Sequence, residues 1–258
     1  MELGLEGARA LVTAASRGLG RACAEALAGE RAAVFVSSRN EVALRAAADA
    51  MGACGHHAAD LAGEGEIEPL VAAAAERLGG LDILVANAGG PPRGDFESVP
   101  DQLWAASYQL TLMSAVRLAR AALPHLRRSD RGRIVFITSL TAREPATDLL
   151  LSSALRPAVA GLAKALASEL APEGVTVNCI LPSRVLTDRV RELEAIKAGH
   201  AGVGLEDQMQ RTAAGIPVRR FGTPSEVGAV CAFLCSRQAA YVTGQGIAVD
   251  GGAALSVH

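Results

Sequence analysis

The sequence predicts an α/β fold: a single doubly wound parallel sheet with helices on both faces. Three observations carry this. Short apolar runs alternate along the chain with helix-length runs. The short runs are apolar throughout rather than at every second residue, as strands covered on both faces are. A small-residue turn containing Gly18 and Gly20 joins the first strand to the first helix. No low-complexity linker or internal repeat divides the chain, so residues 1–258 are expected to form one domain. Half of the residues are hydrophobic but only 3% are aromatic. The core must therefore be built from Ala, Val and Leu, which suits helices packed closely on a sheet.

The elements follow in order. Arg9 to Thr13 is the first buried strand, and Ser16 to Gly29 a helix with Leu19, Cys23, Ala26 and Leu27 on one face. Ala33 to Ser37 is the second strand and Glu41 to Met51 the second helix. A short strand is expected near His56 to Ala59, then a helix through Ile67 to Leu78. Leu81 to Ala86 and Gly132 to Thr138 are strands separated by helices over residues 101–128. Late strands are expected at Val175 to Ile180 and Gly246 to Asp250. Residues 188–216 are more polar, and such a segment after a late strand commonly covers the crevice at the carboxyl edge of the sheet. They are read as a mobile lid.

Thr13-Ala14-Ala15-Ser16-Arg17-Gly18-Leu19-Gly20 has the composition of a phosphate-binding turn. Its glycines allow close backbone approach to a pyrophosphate, which the free N–H groups of the following helix attract. The alternative is a plain tight turn. Arg39 follows the second strand, within Ser37-Ser38-Arg39-Asn40, where an acid would bind a ribose 2′-hydroxyl and a base a 2′-phosphate. With Arg17 in reach of the same group, NADP(H) is favoured over NAD(H). The alternative is that both arginines are merely solvated.

The turn resembles the T-G-x-x-x-G-x-G fingerprint of the short-chain dehydrogenases/reductases, with Ala14 in place of the first Gly. A methyl group there is tolerable if φ is negative, which is the expectation. The resemblance runs along nearly the whole chain. Asp60-Leu61 resembles the family's adenine-contacting acid, and Asn87-Ala88-Gly89 its N-A-G segment beside the cofactor. Pro182-Ser183-Arg184-Val185-Leu186-Thr187 is similar to P-G-x-x-x-T, whose Thr holds the nicotinamide amide; Ser183 replaces Gly. Val242 to Gln245 and Val249 to Gly252 are also similar. The resemblance implies a Rossmann-type fold, a cofactor site that includes Thr13, Ala15, Ser16, Leu19, Ser38, Pro182 and Val185, a small-molecule substrate, and a homotetramer, with a dimer as fallback. The branch most resembled is that of the 3-oxoacyl carrier-protein reductases.

The family's four catalytic positions carry Asn, Ser, Tyr and Lys. Here Ser139 is present; Ser152 and Arg156 stand where Tyr and Lys are expected, and Thr111 aligns with the Asn. Neither tyrosine, Tyr108 nor Tyr241, has a Lys four residues later, so no shift of register restores the motif. A Ser hydroxyl is a much poorer acid than a phenol. Arg156 keeps the charge, for ribose hydroxyls or an oxyanion, but exchanges no proton near neutral pH. Glu144, Asp148, or a water held by Ser139 and Ser152 are the alternative proton sources, against the plainer reading of a solvated loop. Pro157 predicts that its helix begins near Ser152 or Ser153 with a Ser cap. His125 is read as structural. The expected reading is an oxidoreductase with an altered proton relay; the alternative is a cofactor-binding protein of little redox activity.

Net charge is −2 with both signs interspersed, which gives no basic stripe for nucleic acid. The five cysteines form no framework or metal pattern, and Cys231 and Cys235 read as buried thiols. No apolar run is expected to reach bilayer length and no signal segment stands out, so neither metal nor membrane is expected, and a cytoplasmic location is.

Overall fold

The computed structural model describes residues 2–256. Its sheet has seven parallel strands among the described residues, in the order β3-β2-β1-β4-β5-β6-β7. The strands are β1 Arg9–Val12, β2 Ala33–Ser38, β3 Gly55–Ala58, β4 Ile83–Ala86, β5 Arg133–Ile137, β6 Thr176–Pro182 and β7 Gly246–Val249. The chain returns from the β3 edge to place β4 beside β1, so the strand order reverses there. That switch point opens a crevice at the carboxyl ends of the strands.

Helices α1 (Gly18–Gly29), α2 (Glu41–Met51) and α9 (Pro224–Cys235) cover one face, around Leu11's neighbours Ala10 and Val12, Val36, Ile83 and Ile180. Helices α3 (Ile67–Leu78), α5 (Ser114–Leu126) and α6 (Leu150–Leu170) cover the other, around Leu84, Phe136 and Val177. Small residues allow the close approach this needs. A Cβ on Gly228 of α9 would stand 2.5 Å from the Ala22 carbonyl oxygen of α1. Cys23, Cys231 and Cys235 are buried free thiols in the same layer, as read for the last two. Hydrogen bonds to the neighbouring thiols, with burial, push the Cys231 thiol well up.

Local chemistry sets the helix ends. Asn40 caps α2 by accepting from the Ala43 N–H, and Thr223 with Glu226 forms a reciprocal capping box on α9. The expected helical region 101–128 is α4 (Asp101–Tyr108), a π-turn over Gln109–Met113, and α5. Residues 188–216 form two helices, α7 (Asp188–Ala201) and α8 (Leu205–Ala214). Buried Glu194 ties them, accepting from Lys197 Nζ at 2.7 Å, Gln208 Nε2 at 3.1 Å and Thr212 Oγ1 at 2.6 Å.

Two expectations are corrected by α6. It starts at Leu150 rather than at a Ser cap, and its first residue is preceded by Leu149 with no side-chain cap. Ser153 instead accepts from the Ala146 N–H and donates to the Ala146 carbonyl, stapling the preceding loop to the helix. Pro157 therefore lies inside the helix, where it removes the N–H that would reach Ser153. With the short turn after it, α6 forms an apolar helix of 24 residues, Leu150–Glu173, long enough by length and composition to cross a bilayer. Leu151, Leu155, Val159, Ala163, Ala167 and Leu170 make its buried face, against the sheet.

Candidate active site and dinucleotide crevice

The turn between β1 and α1 lies at the switch point. Thr13 Oγ1 donates to the Asn87 carbonyl at 2.7 Å and accepts from the Asn87 N–H at 3.0 Å, clasping the ends of β1 and β4. Asn87 Nδ2 donates to the Ala14 carbonyl at 3.3 Å. Gly20 sits against this clasp: a Cβ there would stand 2.3 Å from the Ala14 oxygen and 2.7 Å from Asn87 Nδ2. Gly18 takes φ +61°, open to glycine at no steric cost. Helix α1 opens at Arg17 with no side-chain cap and no acid in its first turn, which leaves its N–H groups for an anion.

The expectation for Ala14 is wrong. Its φ is +48°, in the left-handed region that favours glycine. Ser183 shows no such strain; in its loop the positive φ falls on Arg184, at +51°.

The remaining expected cofactor positions gather along the same edge. Ala15 is buried with its N–H on the Ser37 carbonyl. Ser37 and Ser38 at the end of β2 have buried hydroxyls with no partner among the described residues. Ser16 and Leu19 are half-buried in the turn, and Arg17 and Arg39 are exposed. Neither arginine has an ion-pair partner among the described residues. Asp60 Oδ1 accepts from the Ala62 N–H beside buried Leu61, after β3. Ala88 and Gly89 continue from Asn87. Pro182 ends β6, buried Val185 bridges to Gly222, and Thr187 caps α7 by accepting from the Val190 N–H. A Cβ on Gly18 would meet Thr187 Cγ2 at 3.7 Å, so the start of α7 lies over the turn. Unpaired buried hydroxyls, a backbone cradle and two cations without ion-pair partners among the described residues fit an adenine dinucleotide.

At the carboxyl end of β5, Ser139 accepts from the Thr141 N–H at 3.2 Å, and Thr141 Oγ1 lies 2.8 Å from Ser152 Oγ. Ser152 is buried, 9% exposed. Arg156, one turn further along α6, is 7% exposed and donates from one terminal nitrogen to the Ile137 carbonyl at 2.7 Å. Its Nε has no partner among the described residues, nor has the buried hydroxyl of Thr111 in the π-turn. Both border a small, partly open cavity of about 10 Å³ with Asn87, Ala88 and Phe136, room for about one water. Burial pushes the Arg156 guanidinium down to about 10, with nearby Arg189 contributing.

The alternative acids are engaged elsewhere. Glu144 accepts from the Leu255 and Ser256 N–H groups, which hold its carboxyl below the usual range, and Asp148 pairs with Arg93 at 2.7 Å. His125 lies near the end of α5, and burial lowers its pKa. Sequence reasoning missed Thr141, whose signal was its place two residues after Ser139. It also missed Arg93 and Arg189, which read as ordinary loop and helix charges.

The profile of the family described as enoyl-(acyl carrier protein) reductase matches residues 13–254. The chain is 34% identical over 251 residues to the 3-oxoacyl-[acyl-carrier-protein] reductase FabG of Vibrio cholerae, covering 97% of this chain and 98% of that one. Its structure is similar to L-sorbose reductase from Gluconobacter frateurii in complex with NADPH and L-sorbose, at a TM-score of 0.95 and 30% identity over the full length of both chains. It is also similar to a short chain oxidoreductase from Pseudomonas aeruginosa with NADPH bound, described as containing an atypical catalytic center. That match has a TM-score of 0.89 and 34% identity over 99% of each chain. With the fingerprint turn at the switch point and the similarity running from end to end, this chain belongs to the short-chain dehydrogenase/reductase family.

Proposed function

We propose that this protein is an NADPH-dependent reductase of small carbonyl compounds, of the ketoreductase kind, working with an altered proton relay. One observation carries the reading. The crevice keeps a phosphate-type turn, with Ala14 at its first glycine position, while the hydroxyls of Ser139, Thr141 and Ser152 gather at the end of β5. NADPH, when bound, supplies the hydride.

The chain's own residues would divide the rest. The turn Thr13 to Gly20 and the α1 N–H groups take the pyrophosphate, and Arg17 and Arg39 the 2′-phosphate. Ser139 and Ser152 orient the carbonyl oxygen by donating hydrogen bonds. Ser152 Oγ passes a proton from water, with Thr141 Oγ1 as the next hydroxyl in line. Arg156 supplies fixed positive charge behind them and no proton. Helices α7 and α8 cover the crevice as a lid, and residues 1–258 act as one unit. A second copy packs on the apolar groove of about 190 Å³ between α5 and α6, lined by Val116, Ala119, Leu123, Leu162 and Leu166, as the first step of a homotetramer.

One observation favours a second reading, a cofactor-binding protein with little turnover. The Arg156 guanidinium is turned onto the Ile137 carbonyl, and no phenol stands at position 152. Titration with NADPH and with NADH, followed by energy transfer from Trp104, tests the cofactor. The expected result is micromolar NADPH binding, much weaker NADH binding, and loss of that preference in R39D. No binding of either would end the oxidoreductase reading. The double variant S152Y/R156K separates the two: if the wild type is inactive and the variant reduces carbonyls, the scaffold is competent and the protein is a binder.

A further inference from the structure

Three chain segments meet at the mouth of the crevice: the loop after β4, the loop before α6, and the first turn of α7. Gly94 and Leu149 pair as an isolated bridge between the first two. Beside it Arg93 reaches Asp148 Oδ2 at 2.7 Å, while Arg93 Nε is buried without a partner among the described residues. From the lid, Arg189 donates to the Gly90 carbonyl at 2.8 Å and the Pro91 carbonyl at 2.7 Å. Carbonyl oxygens fix this guanidinium in place without neutralising it.

Like charges are crowded here. Loss of water, then Arg93, lower the pKa of Arg189; Glu192 opposes them, and Arg17 adds a smaller lowering. Arg189 in turn acts on buried Arg156. Arg189 thus feels Arg93 and Arg17 and acts on Arg156, while Asp148 already holds Arg93 and Glu192 opposes the charge of Arg189. The phosphates of a dinucleotide would answer Arg17, which lies in the phosphate turn. Arg93 and Arg189 lie outside that turn, on the loop after β4 and in the first turn of α7.

We infer that the substrate carries a carboxylate close to its carbonyl group, and that Arg93 and Arg189 receive it at the mouth of the crevice. The inference rests on the reading of this crevice as a carbonyl-reductase site. A planar guanidinium matches a carboxylate, and a neutral ketone or sugar would leave Arg189 with carbonyl partners alone. Asp148 marks the position: an exposed carboxylate on a loop, it occupies Arg93 and is displaced when the ligand's own carboxylate arrives.

The test is calorimetric binding of 3-oxohexanoate and of its ethyl ester, with and without NADP+, to the wild type and to R93M, R189M and D148N. The acid is expected to bind about tenfold tighter than the ester or better, a difference of about 1.4 kcal/mol. R93M and R189M should bring the two ligands level. D148N should tighten the acid alone, by about threefold, because its competitor is gone. Equal binding of acid and ester in the wild type, or a preference that survives in both arginine variants, would overturn the inference. NADP+ binding without acid preference sinks the anion site and leaves the reductase reading. Acid preference without NADP+ binding does the reverse.

Discussion

Thr141 Oγ1 lies 2.8 Å from Ser152 Oγ, and the Thr141 N–H is held by Ser139 Oγ. The short 3-10 turn after β5 thus joins a strand-end serine to a helix serine through the residue between them. If Ser152 delivers the proton, S152A should lower kcat by about 10² and leave NADPH affinity unchanged. T141V should lower kcat by about tenfold, since Ser152 keeps its hydroxyl but loses its partner. Steady-state rates with separate NADPH titrations check both; an unchanged kcat in S152A would sink the relay.

Gly20 leaves no room for a side chain. G20A places a methyl group against the Ala14 oxygen and Asn87 Nδ2, and its neighbours are backbone and a clasped amide. NADPH binding should weaken by at least about tenfold, or about 1.4 kcal/mol, in the Trp104 energy-transfer titration.

Ala14 stores strain that the turn imposes. Its φ of +48° costs an L-residue about 1 kcal/mol, part of which glycine returns as unfolded-chain entropy. A14G should stabilise the protein by about 0.5 kcal/mol and raise Tm by about 1–2 °C, read by thermal denaturation.

Asp82 joins three elements at the opposite end of the sheet. It accepts from the Arg9 backbone N–H at 2.9 Å, from Arg9 Nε at 3.0 Å and from Ser129 Oγ at 2.7 Å. Burial pushes its carboxyl up, but the Arg9 and Ser129 hydrogen bonds outweigh this and hold it below the usual range. A lowered folded pKa means stability that is complete above the unfolded value, about 3.9, and is lost as pH falls through the folded one. D82N should cost about 2 kcal/mol at neutral pH and flatten the acid limb of a stability profile. A steep limb retained in D82N would assign it to other carboxylates.

The groove between α5 and α6 is lined by the half-buried side chains of Leu123, Leu162 and Leu166. If a second copy packs on this groove, L166E should give monomers in sedimentation velocity, through an uncompensated charge in an apolar interface. A wild-type monomer would remove the interface altogether.

Much of the fold was legible in local pattern. The helices Glu41–Met51 and Ile67–Leu78 have the bounds their periodicity predicts, because caps and apolar spacing are short-range properties. The start of α6 was not legible: Pro157 argued for a helix beginning near Ser152 or Ser153, but Ser153 is recruited by Ala146, and packing on the sheet carries the helix through the proline. The π-turn that carries Thr111 left no mark in the apolar spacing.

The sequence by itself determined the family, the glycine-bearing turn after β1 and the absence of any Tyr-x-x-x-Lys spacing, since these are matters of residue identity and order along the chain. Only the tertiary structure decided that Ala14 is left-handed, that Ser152 faces Thr141, that Arg156 turns to Ile137, and that Glu144 and Asp148 are occupied. Each of those depends on which distant segments the sheet brings within hydrogen-bond range, and contacts at that separation carry no local signature.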